Sequence, residues 1–328
     1  MVPTRGEAQS LMLTGYADFE AMLNNPAGEG DSQFYFDNHH FNLVGMGQIY
    51  GGLFAAAEVE YEHAGEEIAL EYGYIGYTGI KNLRIMAGKF IVPFGRFNKD
   101  LHPSWINKMV DRPHGFKNIL PQTYSDVGIW VSGVGPLSNG TSFVYDAFVL
   151  NGLLGSDGGD IRGMRDNDRE KREGERDKNK ALGGRIGLEL APQGFDIGGS
   201  VYYGNYSDVA DTDLKLFMVG ADAAFRKAGF EIRGEVIHAN QEATEGDLKK
   251  TGGYVQAAYL VRPQIEPVVR FSARNMPGDN QDQKRLSFGI NVYVAASSAV
   301  RLNYHVNIEK SDFEKDNDVV ALQFNVSF

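Results

Sequence analysis

The chain has 328 residues, a formal net charge of −11 and no cysteine. No run of 18 apolar residues occurs, which excludes a helical membrane protein, and the acidic balance argues against nucleic acid as a partner. Forty glycines, 20 Phe and 16 Tyr suit a β-rich architecture of tight turns and aromatic belts, and the lack of thiols fits a chain that crosses an oxidising periplasm.

Residues 1–10 are polar and lack the apolar stretch of a secretory signal. They are read as a periplasmic segment of a processed chain, ahead of one barrel domain over residues 11–328. Strands are expected at 11–21 and 34–49. In the second, Phe34, Phe36 and Phe41 do not share one parity, which requires a bulge. At 53–62, Leu53, Ala55, Ala57, Val59 and Tyr61 alternate with Glu58, Glu60 and Glu62, the two-residue period of a half-buried strand. Strands at 67–77 and 83–90 follow. The acids expected on the charged face of this first third are Asp18, Glu20, Glu58, Glu60, Glu62 and Glu71, with Arg84 close behind.

Residues 91–122 (IVPFGRFNKDLHPSWINKMVDRPHGFKNILPQ) form a long connection of another kind. It is too apolar to wave in solvent. Phe94, Phe97, Trp105 and Phe116 are expected to anchor it against an inner wall, with Ile106 and Met109 beside them. Its basic residues Arg96, Lys99, Lys108, Arg112 and Lys117 outnumber Asp100 and Asp111. Arg96, Lys99, Lys108, Asp111 and Arg112 are therefore the expected constriction, and a cationic constriction favours anions.

Strands at 123–134 and 141–150 precede the loop 151–182. Within it, residues 157–180 are almost wholly charged or glycine and cannot bury a core, so a mobile, solvated loop is expected there. The remaining strands are expected at 183–190, 195–204, 214–225, 230–238, 252–261, 265–274, 284–294, 299–309 and 318–328. Arg233, Arg270 and Arg301 lie on their charged faces. The final strand alternates Val320, Leu322, Phe324, Val326 and Phe328 with Ala321, Gln323, Asn325 and Ser327.

Alternation alone fits a soluble sandwich as well as a barrel. The connections decide between them: short turns on one side alternate with long polar loops on the other, apart from residues 63–66. That asymmetry, with about sixteen strands, indicates a transmembrane antiparallel up-and-down β-barrel with short periplasmic turns and long extracellular loops. An Arg turned to lipid at mid-depth costs roughly 2–4 kcal/mol, so charged faces on so many strands must enclose water.

The terminal strand closing on Phe328 resembles the assembly signal of bacterial outer-membrane barrels. Residues 88–98 (GKFIVPFGRFN), running into a Pro- and His-bearing basic loop, resemble the porin superfamily that includes the phosphate-selective porin O/P-like group. The resemblance implies a Gram-negative outer-membrane porin surrounded by lipid and lipopolysaccharide, assembled as a homotrimer and passing small hydrophilic solutes. The phosphate-selective branch is implied to line its eyelet with a ladder of arginines and a lysine, whereas here bases and acids interleave. A weakly anion-selective diffusion porin is expected. A solute-specific channel for organic acids, sugars or phosphate, and a non-conducting barrel enzyme or adhesin, are the alternatives.

No cofactor is expected, and no catalytic residue: no Gly-x-Ser-x-Gly elbow occurs and the glycine-rich segments lack a phosphate-loop lysine. His39 and His40, with Asp37 nearby, are read as a surface pair rather than a metal site, and His238 and His305 as pore-lining residues.

Overall fold

The computed structural model describes residues 10–25, 32–121, 123–153, 180–207, 213–278, 282–309 and 315–328. Residues 1–9 and nearly all of the charged stretch 157–180 therefore lie outside the described residues.

Sixteen strands run in chain order: β1 (Ser10–Asn24), β2 (Gln33–Tyr50), β3 (Leu53–Glu62), β4 (Glu67–Ile80), β5 (Leu83–Ile91), β6 (Ser125–Pro136), β7 (Thr141–Leu150), β8 (Ala181–Leu190), β9 (Phe195–Ser207), β10 (Leu214–Lys227), β11 (Phe230–Gln241), β12 (Leu248–Tyr259), β13 (Ile265–Asn275), β14 (Gln283–Ala295), β15 (Ser298–Ile308) and β16 (Val319–Ser327). Each pairs antiparallel with its sequence neighbours, and β1 closes on β16 from Tyr16 opposite Ser327 to Asn24 opposite Val319. Closure leaves no open sheet edge, the condition for placing backbone amides in hydrocarbon.

Turns of two to five residues join the strands on one rim. At Ala228–Gly229 both residues have positive φ, 52° and 79°, so the turn matches the right-handed twist of β10 and β11. The bulge expected in the second strand is present. Asp18 pairs with His40 but Glu20 with Asp37, so Asn38 and His39 together oppose Phe19; β2 carries one extra residue and its parity switches there.

The two faces of the sheet separate as a membrane barrel requires. On β15, Leu302 and Tyr304 are 48% and 44% exposed on the outside, whereas Arg301, Asn303 and His305 are buried inside. On β16, Leu322 and Phe324 point out while Gln323 and Asn325 point in. Polar residues continue the alternation beyond the sequence-derived strand ends. Lys249 and Lys250 mark a loop by composition, yet β12 begins at Leu248, and Lys250 turns inward to donate to Gln241 at 2.9 Å. The lumen and the rim are both wet, so charge does not end a strand here.

One tie skips a strand. Arg185 on β8 donates to Asp222 on β10 through Nε at 3.0 Å and Nη2 at 2.6 Å. The guanidinium passes over Gly198 of the intervening β9, where a Cβ would lie 2.1 Å from Nη2.

The apolar core sits within the barrel. Phe94, Phe97, Leu101, Phe116, Ile119 and Leu120 of the β5–β6 connection pack against Phe90, Phe148, Tyr202, Tyr206, Ile237 and Tyr254 of the wall. On β10 both faces are apolar at this level: Leu216 and Met218 are buried inside, Phe217 and Val219 exposed outside.

Candidate channel constriction

The β5–β6 connection leaves the wall through a neck closed by one side chain. Asn98 Nδ2 donates to the carbonyls of Val92, at 2.8 Å, and Tyr124, at 3.1 Å, while its Oδ1 accepts from the Tyr124 N–H at 2.9 Å. The backbone then crosses to distant strands. Gly95 N–H donates to Ser200 Oγ at 2.9 Å and Phe97 N–H to Glu235 Oε2 at 2.9 Å. Gly95 has φ +72°, and a Cβ there would fall 1.9 Å from Glu235 Oε1, so only glycine fits.

Phe97, Phe116 and Tyr254 form an edge-on triad with ring centroids 5.5 to 6.2 Å apart. Beside them Gly115 lies flat on β12, where its Cβ would come within 2.2 Å of the Gly253 carbonyl. Two small residues thus let backbone meet backbone, an approach that residue-type periodicity does not reveal.

The far side of the loop reaches β13–β15. Lys108 Nζ lies 2.6 Å from Glu266 and 3.6 Å from Glu231. Val110 N–H donates to Asn303 Oδ1 at 2.6 Å, and Arg301 donates to the carbonyls of Ser104 and Trp105. Arg270 Nη2 donates to Asp111 Oδ1 at 2.6 Å, and Arg285 grips the other carboxylate oxygen. Burial would raise the Asp111 carboxyl, but His305, Arg285 and Arg270 outweigh it and hold it well below the usual carboxylate range. Nearby, His114 bonds Gln283 at 2.6 Å; burial, with Arg285 and Arg274 beside it, pulls its imidazole down to about 3. His102, whose Nδ1 meets the Asn98 carbonyl at 2.9 Å, is likewise brought to about 3 by burial and then by Arg112.

Of the residues expected at the constriction, three basic ones are neutralised by wall acids. Arg96 pairs with Asp196 at 3.3 Å, Lys99 with Asp146 at 2.6 Å, and Lys108 with Glu266. Asp111 and Arg112 instead line a cavity of about 240 Å³ between loop and wall. Besides Arg112, the positive charge there comes from residues outside that expected set: Arg285, with Lys117 on the loop, and Arg270 and Arg274 on β13 next to Asp111 and Lys117. His39, His40 and Glu62 also line it.

Phe94, Phe97 and Phe116 are buried, whereas Trp105 is 43% exposed. The loop is held there by the Trp105 carbonyl, because Arg301 needs an acceptor and the indole finds no apolar recess. The wall residues Asp18, Glu20, Glu58, Glu60, Glu62, Glu71, Arg233, Arg270 and Arg301 are all buried inside the barrel. Arg84 shares their parity but sits by the short turn after β4, exposed, reaching Ser132 Oγ at 3.5 Å.

Two histidine readings are corrected. His40 is 9% exposed, because the β2 bulge swings it inward onto Asp18. His238 shares the outward parity of Ile232 and Val236 and bonds Thr251, so it does not line the pore; His305 does, bonded to Ser287 at 2.7 Å. A signal for the loop-docking wall was present in the sequence. Residues 214–219 (LKLFMV) carry apolar side chains on both parities, which a strand facing open water would not.

No protein-family model matches the chain. An uncharacterized protein of Aquifex aeolicus is 25% identical over 238 residues, covering 69% of this chain and 51% of the relative, so the chain spans about half the length of that relative. Among solved structures, the anion-selective porin from Comamonas acidovorans superposes with a TM-score of 0.72 at 14% identity, covering 98% of this chain and all of that one. OmpF of Salmonella typhi, solved with daunomycin, gives 0.67 at 14% identity over 97% of each chain. OmpT of Vibrio cholerae in its trimer form, an outer-membrane protein, gives 0.65 at 9% identity, covering 98% and 100%. The chain therefore has the fold of the outer-membrane porins, a closed antiparallel barrel of sixteen strands.

Proposed function

We propose that the protein is an outer-membrane diffusion porin for small hydrophilic solutes, with a weak preference for anions, and not an enzyme. The observation that carries this reading is the lined cavity between the β5–β6 loop and the wall. Arg285, Lys117 and Arg112 share its lining with Glu62, so a passing ion meets fixed charges of both signs with the cations in excess. Residues 91–122 act as the constriction, with Asp111 and Arg112 at its edge and Arg270, Arg274 and Arg285 as the cationic wall. Arg96, Lys99 and Lys108 hold the loop in place through their wall carboxylates. The likeness to an anion-selective porin agrees in direction. The trimeric form of OmpT and the apolar outer strands support a homotrimer.

Planar-bilayer recording in a KCl gradient tests the reading. Arg274→Gln together with Lys117→Gln removes two cations, neither of which grips a loop carboxylate. The expected result is unchanged step size with a reversal potential moved toward the cation value. An unmoved reversal potential removes the anion assignment. Absence of steps from the unaltered protein removes the channel reading and favours an enzyme or adhesin, while small steps blocked by phosphate would make it a specific channel.

A further inference from the structure

Four of the seven histidines gather where β2 and β3 approach the long-loop rim. The His39 ring stacks on His40 at 4.0 Å and on His63 at 5.2 Å, and His102 of the loop lines the same cavity as His39, His40 and Glu62. Asp18 grips His40 twice: Oδ1 accepts from the backbone N–H at 3.1 Å, and Oδ2 lies 2.8 Å from the ring Nδ1. An ionised carboxylate only accepts, so Nδ1 carries a proton, and in the neutral ring the lone pair is on Nε2, pointing away from Asp18. That Nε2 lies 3.6 Å from Glu62 Oε1 and 3.8 Å from Glu60 Oε1. These separations are too long for hydrogen bonds. They are a few tenths of an ångström above the ~3.3 Å that separates ligand atoms around a tetrahedral ion with bonds of ~2.0–2.1 Å.

A carboxylate that fixes the tautomer of a ligating imidazole is the usual outer support of a metal site. His40, Glu60 and Glu62 bring their ligand atoms within 4.8 Å of one another, all three buried. Buried imidazole and carboxylate donors, with no thiolate, suit a first-row divalent transition ion.

We propose that His40, Glu60 and Glu62 bind one divalent transition-metal ion such as zinc in the channel wall, with Asp18 as the positioning residue behind His40. The ion would add positive charge to a wall that carries Asp18, Glu20, Glu58, Glu60, Glu62 and Glu71, and would tie β2 to β3.

The test is zinc titration by calorimetry of the detergent-solubilised full chain after dialysis against chelator. One zinc per barrel is expected, with calcium and magnesium unable to compete. His40→Gln should weaken binding at least tenfold, and Asp18→Asn tenfold or more, while His238→Gln on the outer face leaves it unchanged. Heat-modifiable gel mobility shows whether each variant still closes its barrel; if His40→Gln does not, the double variant Glu60→Gln with Glu62→Gln takes its place. Absence of saturable binding, affinity within twofold of the parent in the folded variants, or equal binding of calcium overturns the assignment. Binding is read without current, so failure here is separable from failure of the channel reading.

Discussion

Replacing Asp111 by Asn isolates the charge that sits among the cations of the lumen. Its two carboxylate oxygens each take a charged hydrogen bond, one from Arg270 and one from Arg285. A charge-assisted bond contributes about 1.5–3 kcal/mol and a neutral one about 0.5–1.5, so the loop loses about 2 kcal/mol of docking, roughly 30-fold in the docked-to-released ratio. The side chain is 35% exposed, which argues for the lower end of that range. The remaining ties are more numerous: the Lys108–Glu266 pair, the Val110–Asn303 bond and the buried phenylalanines. The loop therefore stays docked and single-channel conductance is unchanged. Selectivity does move. An ion passing about 7 Å away in water feels about 0.6 kcal/mol from one unit charge, and salt near 0.1 M halves this. The effect has opposite sign for anion and cation, so their permeability ratio rises about threefold in favour of anions. Reversal potentials in a KCl gradient measure it. An unmoved potential, or one shifted toward cations, refutes the placement of Asp111 beside the conducting path.

Two further outcomes follow from the loop's packing. Phe116→Ala removes the central ring of the Phe97–Phe116–Tyr254 triad, at a cost of about 3–5 kcal/mol for a buried phenylalanine, and should produce noisy, larger conductance steps from a barrel that still resists heat in gel mobility. His114 is pulled to about 3 when docked, against about 6.5 in a released loop, so a released loop binds the extra proton as pH falls through 6.5. At pH 5 docking is weakened by up to about 2 kcal/mol. Asp111 does not offset this, because its depressed carboxyl keeps its contribution until pH falls below the usual carboxylate range. His102, brought to about 3 by burial in the same loop, adds an effect of the same sign, so flicker should rise between pH 7.5 and 5, depend less on pH in His114→Gln, and lose that dependence only in His114→Gln combined with His102→Gln.

The barrel was legible in the sequence because lipid and water impose a strict period of two, and because turn lengths alternate between the rims. Leu302 and Tyr304 against Arg301 and Asn303 state the fold almost alone. The strand ends were less legible, since Lys250 is as acceptable inside a wet lumen as in a loop. The apolar anchors Phe94, Phe97 and Phe116 were readable as residues that solvent would not tolerate. Their partners were not: Ser200 and Glu235 meet Gly95 and Phe97 across more than a hundred residues of chain, and only the closed sheet brings them together. The pairing of Arg96, Lys99 and Lys108 was hidden for the same reason, so a count of loop charges overstated what the passage presents. The histidine cluster depends on a bulge of one extra residue, whose presence the sequence shows but not the direction in which it turns His40.

The Arg185–Asp222 tie gives the wall under the loop a property its ladder lacks. Main-chain bonds join each strand only to its immediate neighbour and resist separation better than sliding. A rivet between second neighbours, laid flat across Gly198, opposes shear of β8 past β10. The loop's greasy underside thus rests on the braced sector of the cylinder, where a slip of register would turn its seat toward the bilayer.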